Sequence, residues 1–263
     1  MPRYLLPSLL IGALSITACG GGGGSFGGEN PDIEPPISNP TNIAGVWEGT
    51  ASFGDDTSGP VILFTTADGS LRLVGLEFAT QARGDIDLAI DDNLDGSAMF
   101  DANVTVFESQ DFFVGTSIVT ENCMLDATVT EAKSLAGKFL CEDDPNNTGN
   151  FTAGYPALNA TDASFAAVRG TWTAPDASLS VTFNDEGIIT GGAFIKDSTT
   201  SCSVTGNATP ITDENLYRLV FQLSADNCGV LAGTYNGLGT ITDNRFILQA
   251  DNSELIFSYQ LNQ

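Results

Sequence analysis

Ile43-Ala44-Gly45-Val46-Trp47-Glu48-Gly49-Thr50 and Ala167-Val168-Arg169-Gly170-Thr171-Trp172-Thr173-Ala174 share a Gly-x-Trp center with small or polar flanks, and they hold both tryptophans of the 263-residue chain. Each is followed by an alternating run and an acidic-Gly turn: Val61 to Thr66 before Asp68-Gly69, and Leu179 to Phe183 before Glu186-Gly187. A further echo links Ser134-Leu135-Ala136-Gly137-Lys138-Phe139 to Val230-Leu231-Ala232-Gly233-Thr234-Tyr235. Repetition on this scale predicts two copies of one architecture. We place them at 43–155 and 169–263, joined by a linker at 156–168.

Both copies read as strands. Ile86 to Ile90, Val104 to Phe107, Leu216 to Leu223, Phe246 to Gln249 and Ile256 to Leu261 are short β-rich runs bounded by Asn, Asp, Gly and Ser. The second copy holds eight such runs, near 169–174, 178–184, 188–195, 201–208, 216–223, 229–236, 244–250 and 254–261. No segment carries a long apolar stripe of period 3.6 with caps, so the class is all-β. Short turns favor an antiparallel up-and-down meander, and closing it into a barrel removes the two exposed edges. Eight strands enclose an interior that side chains can fill or that can hold one small ligand. The leading Gly45-Val46-Trp47 and Gly170-Thr171-Trp172, each opening a meander, resemble the start of the lipocalin and avidin-like superfamily of small barrels. That resemblance implies two tandem barrels, each closed at one end by its tryptophan. Each copy is shorter than a typical lipocalin and lacks the further tryptophans of an avidin pocket, so the resemblance carries no particular ligand.

Ahead of the first copy, 1–18 holds one cation, Arg3, and an apolar run from Leu9 to Ile16, too short to span a bilayer. It reads as a signal peptide. The run ends Leu14-Ser15-Ile16-Thr17-Ala18-Cys19-Gly20, which resembles the bacterial lipobox: an aliphatic residue three before the cysteine, small residues next, then the cysteine. The resemblance implies cleavage before Cys19, a lipid on its thiol and acylation of the new terminus. Gly20 stands where an aspartate would signal retention in the inner membrane, so the implied address is the outer membrane, facing either the periplasm or the exterior. Several acyl chains, at ~0.8 kcal/mol per buried methylene, anchor a soluble body firmly. Residues 19–42 then run through Gly20 to Gly24, Gly27-Gly28, Pro31, Pro35, Pro36 and Pro40 with few large apolar side chains. This composition reads as a disordered tether with a reach of about 25–30 Å.

Five cysteines are an odd number for a secreted protein, and setting Cys19 aside leaves two in each copy. Cys123 and Cys141 flank a hairpin turning near Glu131 to Ser134, a register that puts 123 almost opposite 142 and makes a cross-strand bridge reasonable. Cys202 and Cys228 have a strand between them, so their bridge requires Cys228 on a loop that reaches back. Pairing within each copy is preferred among the three possible pairings, and an oxidizing envelope supports it.

Nine Lys plus Arg against 33 Asp plus Glu give a net charge of −24, which excludes a nucleic-acid partner. With no histidine in the chain, imidazole triads, Cys–His pairs and His-based metal sites are excluded too. Ser-x-x-Lys and phosphate-loop motifs are absent, and the chain reads as a non-enzyme that needs no cofactor beyond the covalent lipid on Cys19. Asp91-Asp92-Asn93-Leu94-Asp95-Gly96-Ser97 matches the first half of an EF-hand loop, with Asp91, Asn93 and Asp95 as candidate calcium ligands and the Ser97 carbonyl nearby. The twelfth position is Ala102 instead of Glu, so a hairpin turn closed by Asp95-Gly96 is the preferred reading. Trp47 and Trp172 could stack on a sugar or lipid, although a core role is preferred. Phe112-Phe113 is a candidate exposed apolar pair, of which a strand would turn only one outward.

These features describe an outer-membrane lipoprotein whose paired barrels form a non-catalytic binding or surface-interaction module. The membrane is reached through the lipid, and the partner is a protein, a glycan or a small apolar ligand. A lipocalin-like carrier of a small apolar ligand is the alternative, and an envelope hydrolase using carboxylates alone is a third reading. Cavity volume separates the first two.

Overall fold

The computed structural model describes residues 43–53, 57–77, 80–87, 97–109, 118–142, 148–194 and 201–263. The first eight strands are β1 (Gly45–Phe53), β2 (Thr57–Thr65), β3 (Ser70–Gly75), β4 (Gln81–Asp87), β5 (Ser97–Ser109), β6 (Ile118–Thr130), β7 (Ser134–Cys141) and β8 (Thr148–Gly154). The second eight are β9 (Gly170–Thr173), β10 (Leu179–Phe183), β11 (Ile188–Phe194), β12 (Ser201–Pro210), β13 (Tyr217–Leu223), β14 (Gly233–Thr242), β15 (Arg245–Asp251) and β16 (Ile256–Asn262). Within each set every strand pairs antiparallel with its chain neighbors, and the first pairs with the last. The protein is therefore all-β, with two closed eight-stranded barrels.

Alternation explains most of the wall. In β8, Gly149, Phe151 and Ala153 point inward while Thr148, Asn150 and Thr152 face solvent. In β13, Tyr217, Leu219, Phe221 and Leu223 point inward. A strand with one wet face needs this period of two. Turn chemistry sets the registers: Asp243 and Asn244 both take positive φ in a two-residue hairpin that pairs Thr242 with Arg245.

The copies match in detail through their first four strands. Gly45 and Gly170 both sit at strongly positive φ, 138° and 124°, where a Cβ is disfavored, which accounts for the glycine of each Gly-x-Trp. Two residues on, Trp47 and Trp172 donate their indole N–H to the carbonyls of Ile43 and Val168, each four residues back. The Gly69 and Gly187 carbonyls, in the turns after the second strands, accept from Ile86 and Ala208 in the fourth. Those fourth strands cross their neighbors at Gly84 and Gly206, where a Cβ would lie 2.4 Å from the Asn103 carbonyl oxygen and 1.9 Å from that of Val220.

Two expectations are corrected. The Leu-Ala-Gly echo is no positional match: Leu135-Ala136-Gly137 lies in β7, the seventh strand of barrel 1, whereas Gly233 opens β14, the sixth of barrel 2. The β6–β7 turn pairs Thr130 with Ser134, one residue away from the expected register, so Cys123 lies directly opposite Cys141. The 156–168 linker packs against the barrels. It forms a 3-10 turn at Ala157–Ala160 and a short helix α1 at Phe165–Val168. The Asn159 side chain accepts from Val46 N and donates to Val46 O, so it pairs with β1 as a strand would.

Besides one apolar core per barrel, a third cluster lies between the barrels. Val46, Ile62, Phe64 and Val74 of barrel 1 meet Leu216, Leu238 and Ile247 of barrel 2. Here alternation fails because both faces of the strand are covered: β15 is buried from Phe246 to Asp251.

Candidate functional site

Cys19, the Asp91, Asn93 and Asp95 set and the Phe112-Phe113 pair lie outside the described residues. The other expected residues are placed. Trp47 and Trp172 are buried at 0% and 2% exposure, and each indole N–H donates to a backbone carbonyl. Trp47 also donates to the Thr65 hydroxyl at 2.9 Å and meets the Tyr155 ring edge-on at 4.9 Å. Trp172 packs against Phe246, which also touches Phe183 and Tyr217. Both indoles are thus core plugs, with no face open for stacking on a ligand.

Cys123 and Cys141 form a disulfide across β6 and β7, and Cys202 in β12 forms one with Cys228, on the loop after β13 that reaches back over it. Glu121 brings a carboxylate oxygen within 4.8 Å of the first pair of sulfurs. Sulfurs bonded to each other offer no thiolate, so this trio is not a metal site in the oxidized protein.

Barrel 2 contains an apolar cavity lined by Leu179, Val204, Phe221, Leu231, Phe257 and Tyr259, among others. Its volume is about 20 Å³. A site for a drug-sized ligand needs roughly 300–1,000 Å³. This cavity has room for about one water, which its apolar lining would not hold.

The strongest concentration of polar chemistry is the seam between the barrels, which alternation alone does not reveal. Asp251, 3% exposed at the end of β15, binds Arg72 of β3 through Oδ2 and Arg83 of β4 through Oδ1. Arg83 also lies over the Phe107 ring, 5.7 Å from its center. Gln249 donates to the Leu73 carbonyl at 2.7 Å, and Gln260 donates to that of Leu76 at 3.2 Å. Beside them Arg218 of β13 binds Asp68 in the β2–β3 turn at 2.7 Å. The Thr66 hydroxyl, with help from Arg218, holds the Asp68 carboxyl below the usual aspartate range. Among the described residues Arg72, Arg83 and Arg218 therefore face the other barrel, in a chain with nine cations and 33 acids. Arg72, Arg83 and Arg218 offset the mutual repulsion of two acidic bodies where they touch.

Tyr259 and Tyr217 are pushed above the usual tyrosine range by burial. The Tyr217 hydroxyl donates to the Ser164 carbonyl at 2.8 Å, tying the connecting segment to barrel 2. Both phenols stay protonated and act as hydrogen-bonding core groups.

A scan against protein-family models, a search of curated proteins and a search of solved structures each found no match for this chain.

Proposed function

We propose that the chain is an outer-membrane lipoprotein, anchored through an acylated Cys19, whose paired barrels form a non-catalytic body that recognizes its partner with its outer surface. The observation that carries this reading is cysteine parity. Four of five cysteines are spent in two disulfides, one within each barrel, so the remaining one is the cysteine of the lipobox-like sequence. Disulfides of this kind belong to an oxidizing compartment such as the cell envelope. For barrel 2, recognition by the outer surface rather than the interior is supported by its cavity of about 20 Å³, too small for a small apolar ligand.

Intact mass spectrometry of protein extracted from its native membrane tests the anchor. The expected product begins at Cys19, carries acyl mass and has no free thiol. Cys19→Ala should leave the membrane fraction while keeping both disulfides. An unacylated chain beginning elsewhere, or four reduced thiols, would overturn the proposal.

A further inference from the structure

The 211–216 segment between β12 and β13 joins three parts of the molecule. The Glu214 carbonyl accepts from Ala163 in the connecting segment, Asn215 donates to the Leu158 carbonyl, and the Asn215 carbonyl accepts from Thr240 of β14. Its side chain at 214 reaches the other barrel, where Glu214 Oε1 accepts from Ala67 N at 3.2 Å. Glu214 is 7% exposed, and its Oε2 is buried without a hydrogen-bond partner among the described residues. We propose that this end of the seam is a proton-operated clasp, in which Glu214 holds the two barrels together more tightly when protonated than when ionized.

The charged and titratable groups around Glu214 decide the direction. From the β2–β3 turn it faces Asp68, a like charge. From β13 it faces Arg218, whose guanidinium is engaged with Asp68. From the segment after β8 it faces the Tyr155 phenol, itself pushed up by burial and by the Glu214 charge. Asp213, next in the chain, is exposed. When ionized, Glu214 keeps a buried oxygen without a donor and is repelled by Asp68, and opening the seam would hydrate it. When protonated, Glu214 carries no buried charge and no repulsion from Asp68, while Oε1 still accepts from Ala67.

Burial, helped by the Asp68 charge, pushes the Glu214 carboxyl above the usual glutamate range in the closed seam; the Ala67 N–H, which binds the ionized form more strongly, and the weaker attraction to Arg218 offset only part of this. A carboxyl whose pKa is raised by closure favors the closed state at low pH. That preference is lost as pH rises through the raised value. Asp68 is shifted the opposite way, so its pair with Arg218 persists while Glu214 titrates.

The Ala67 amide reports on the clasp directly. Its hydrogen-exchange protection factor, corrected for the intrinsic pH dependence of exchange, is measured on the full chain between pH 4 and 8. Protection should fall as pH rises, by up to about tenfold for each unit of pKa difference between closed and open states. Glu214→Gln should give a flat profile at the level the parent chain reaches in acid. A flat profile in the parent chain, or an unchanged slope in Glu214→Gln, overturns the proposal. Independently of any variant, the carboxyl carbon of Glu214 should titrate above the ordinary glutamate value, and a midpoint at or below that value overturns it as well.

Discussion

Barrel 1 and barrel 2 share strand number and order but close in different ways. In barrel 1, β1 and β8 form a ladder from the Glu48–Gly154 pair to the Phe53–Gly149 pair. In barrel 2, β9 meets β16 at the single pair Thr173–Asn262. The sequence accounts for the difference: β9 spans four residues, and Ala174-Pro175 then turns the chain, with Ala174 N bonding the Leu179 carbonyl. Proline has no N–H to extend a ladder. Barrel 2 relies instead on packing against both sides of its wall. Inside, Phe246 joins Trp172, Phe183 and Tyr217, and Phe257 joins Phe221, Tyr235 and Tyr259. Outside, the Leu238, Ile247, Gln249, Asp251 and Gln260 side chains of β14, β15 and β16 rest on barrel 1. A small barrel can therefore be completed by a neighbor where its own hydrogen-bond ladder is short.

The sharpest way to break this comparison is to remove each plug in turn. Trp172→Ala and Trp47→Ala should each cost about 3–5 kcal/mol, as large core truncations do. Each variant keeps the other tryptophan as a fluorescence reporter of the other barrel during urea unfolding. Trp172→Ala should also shift the Trp47 transition to lower urea, because a loosened barrel 2 abandons the seam. Trp47→Ala should shift the Trp172 transition less, since the ladder keeps barrel 1 in place. Equal cross-shifts would show that ladder length does not set the hierarchy.

Disulfide removal follows in size. The closed loops span sequence separations of 18 and 26 residues, for which the chain-entropy model gives about 3 kcal/mol each. Cys123 and Cys141 are already held opposite each other by the β6–β7 ladder, whereas Cys228 lies on a loop. The Cys202→Ser/Cys228→Ser variant should therefore lower Tm more than the Cys123→Ser/Cys141→Ser variant. The reverse order would mean that the loop over barrel 2 is held by other contacts.

The seam is next. Asp251→Asn leaves Arg72 and Arg83, direct cross-strand neighbors, facing each other without their shared anion. Both arginines are partly exposed, so the expected loss is about 2–3 kcal/mol, somewhat below that of a fully buried broken pair. It should separate the unfolding of the two barrels into distinct transitions, and a single sharp transition would show that the apolar part of the seam suffices.

The strands, the number of barrels and the cysteine pairing were legible because each rests on local chemistry: alternation, turn residues and parity. Strand runs near 216–223 and 244–250 lie close to the observed β13 and β15. Period-two alternation does not reveal the seam, although traces of it are present in the sequence. Val61 to Thr66, expected to alternate, is buried at every position, and Phe246-Ile247-Leu248 is apolar throughout; in an antiparallel wall such runs signal cover on both faces. The matched Gly84 and Gly206 were missed because a close backbone approach leaves no pattern beyond the glycine itself. Asn159 could not have been found, since its role depends on where β1 lies in space. Glu214 reads as one carboxylate among 33, and only the fold distinguishes it.

The smallest effect separates the two ion pairs of the seam. Arg218 and Asp68 are about half exposed, 49% and 59%, whereas Asp251 is 3% exposed. Water and salt screen the first pair and largely spare the second. Arg218→Ala should cost at most about 1 kcal/mol, and most of that should vanish at molar salt. The Asp251→Asn deficit should persist under the same conditions. Because the Asp68 carboxyl lies below its ordinary value, its contribution is present above the unfolded aspartate range and is lost as pH falls through the lowered value, the reverse of Glu214. Arg218→Ala should accordingly flatten the acid limb of the stability profile in part, because the Thr66 hydroxyl still holds Asp68 down, and should move the limb governed by Glu214 toward higher pH, because the offsetting attraction is gone. If salt removed both deficits equally, the seam would be a surface contact rather than a buried one, and barrel 2 would have to hold its short closure by its interior alone.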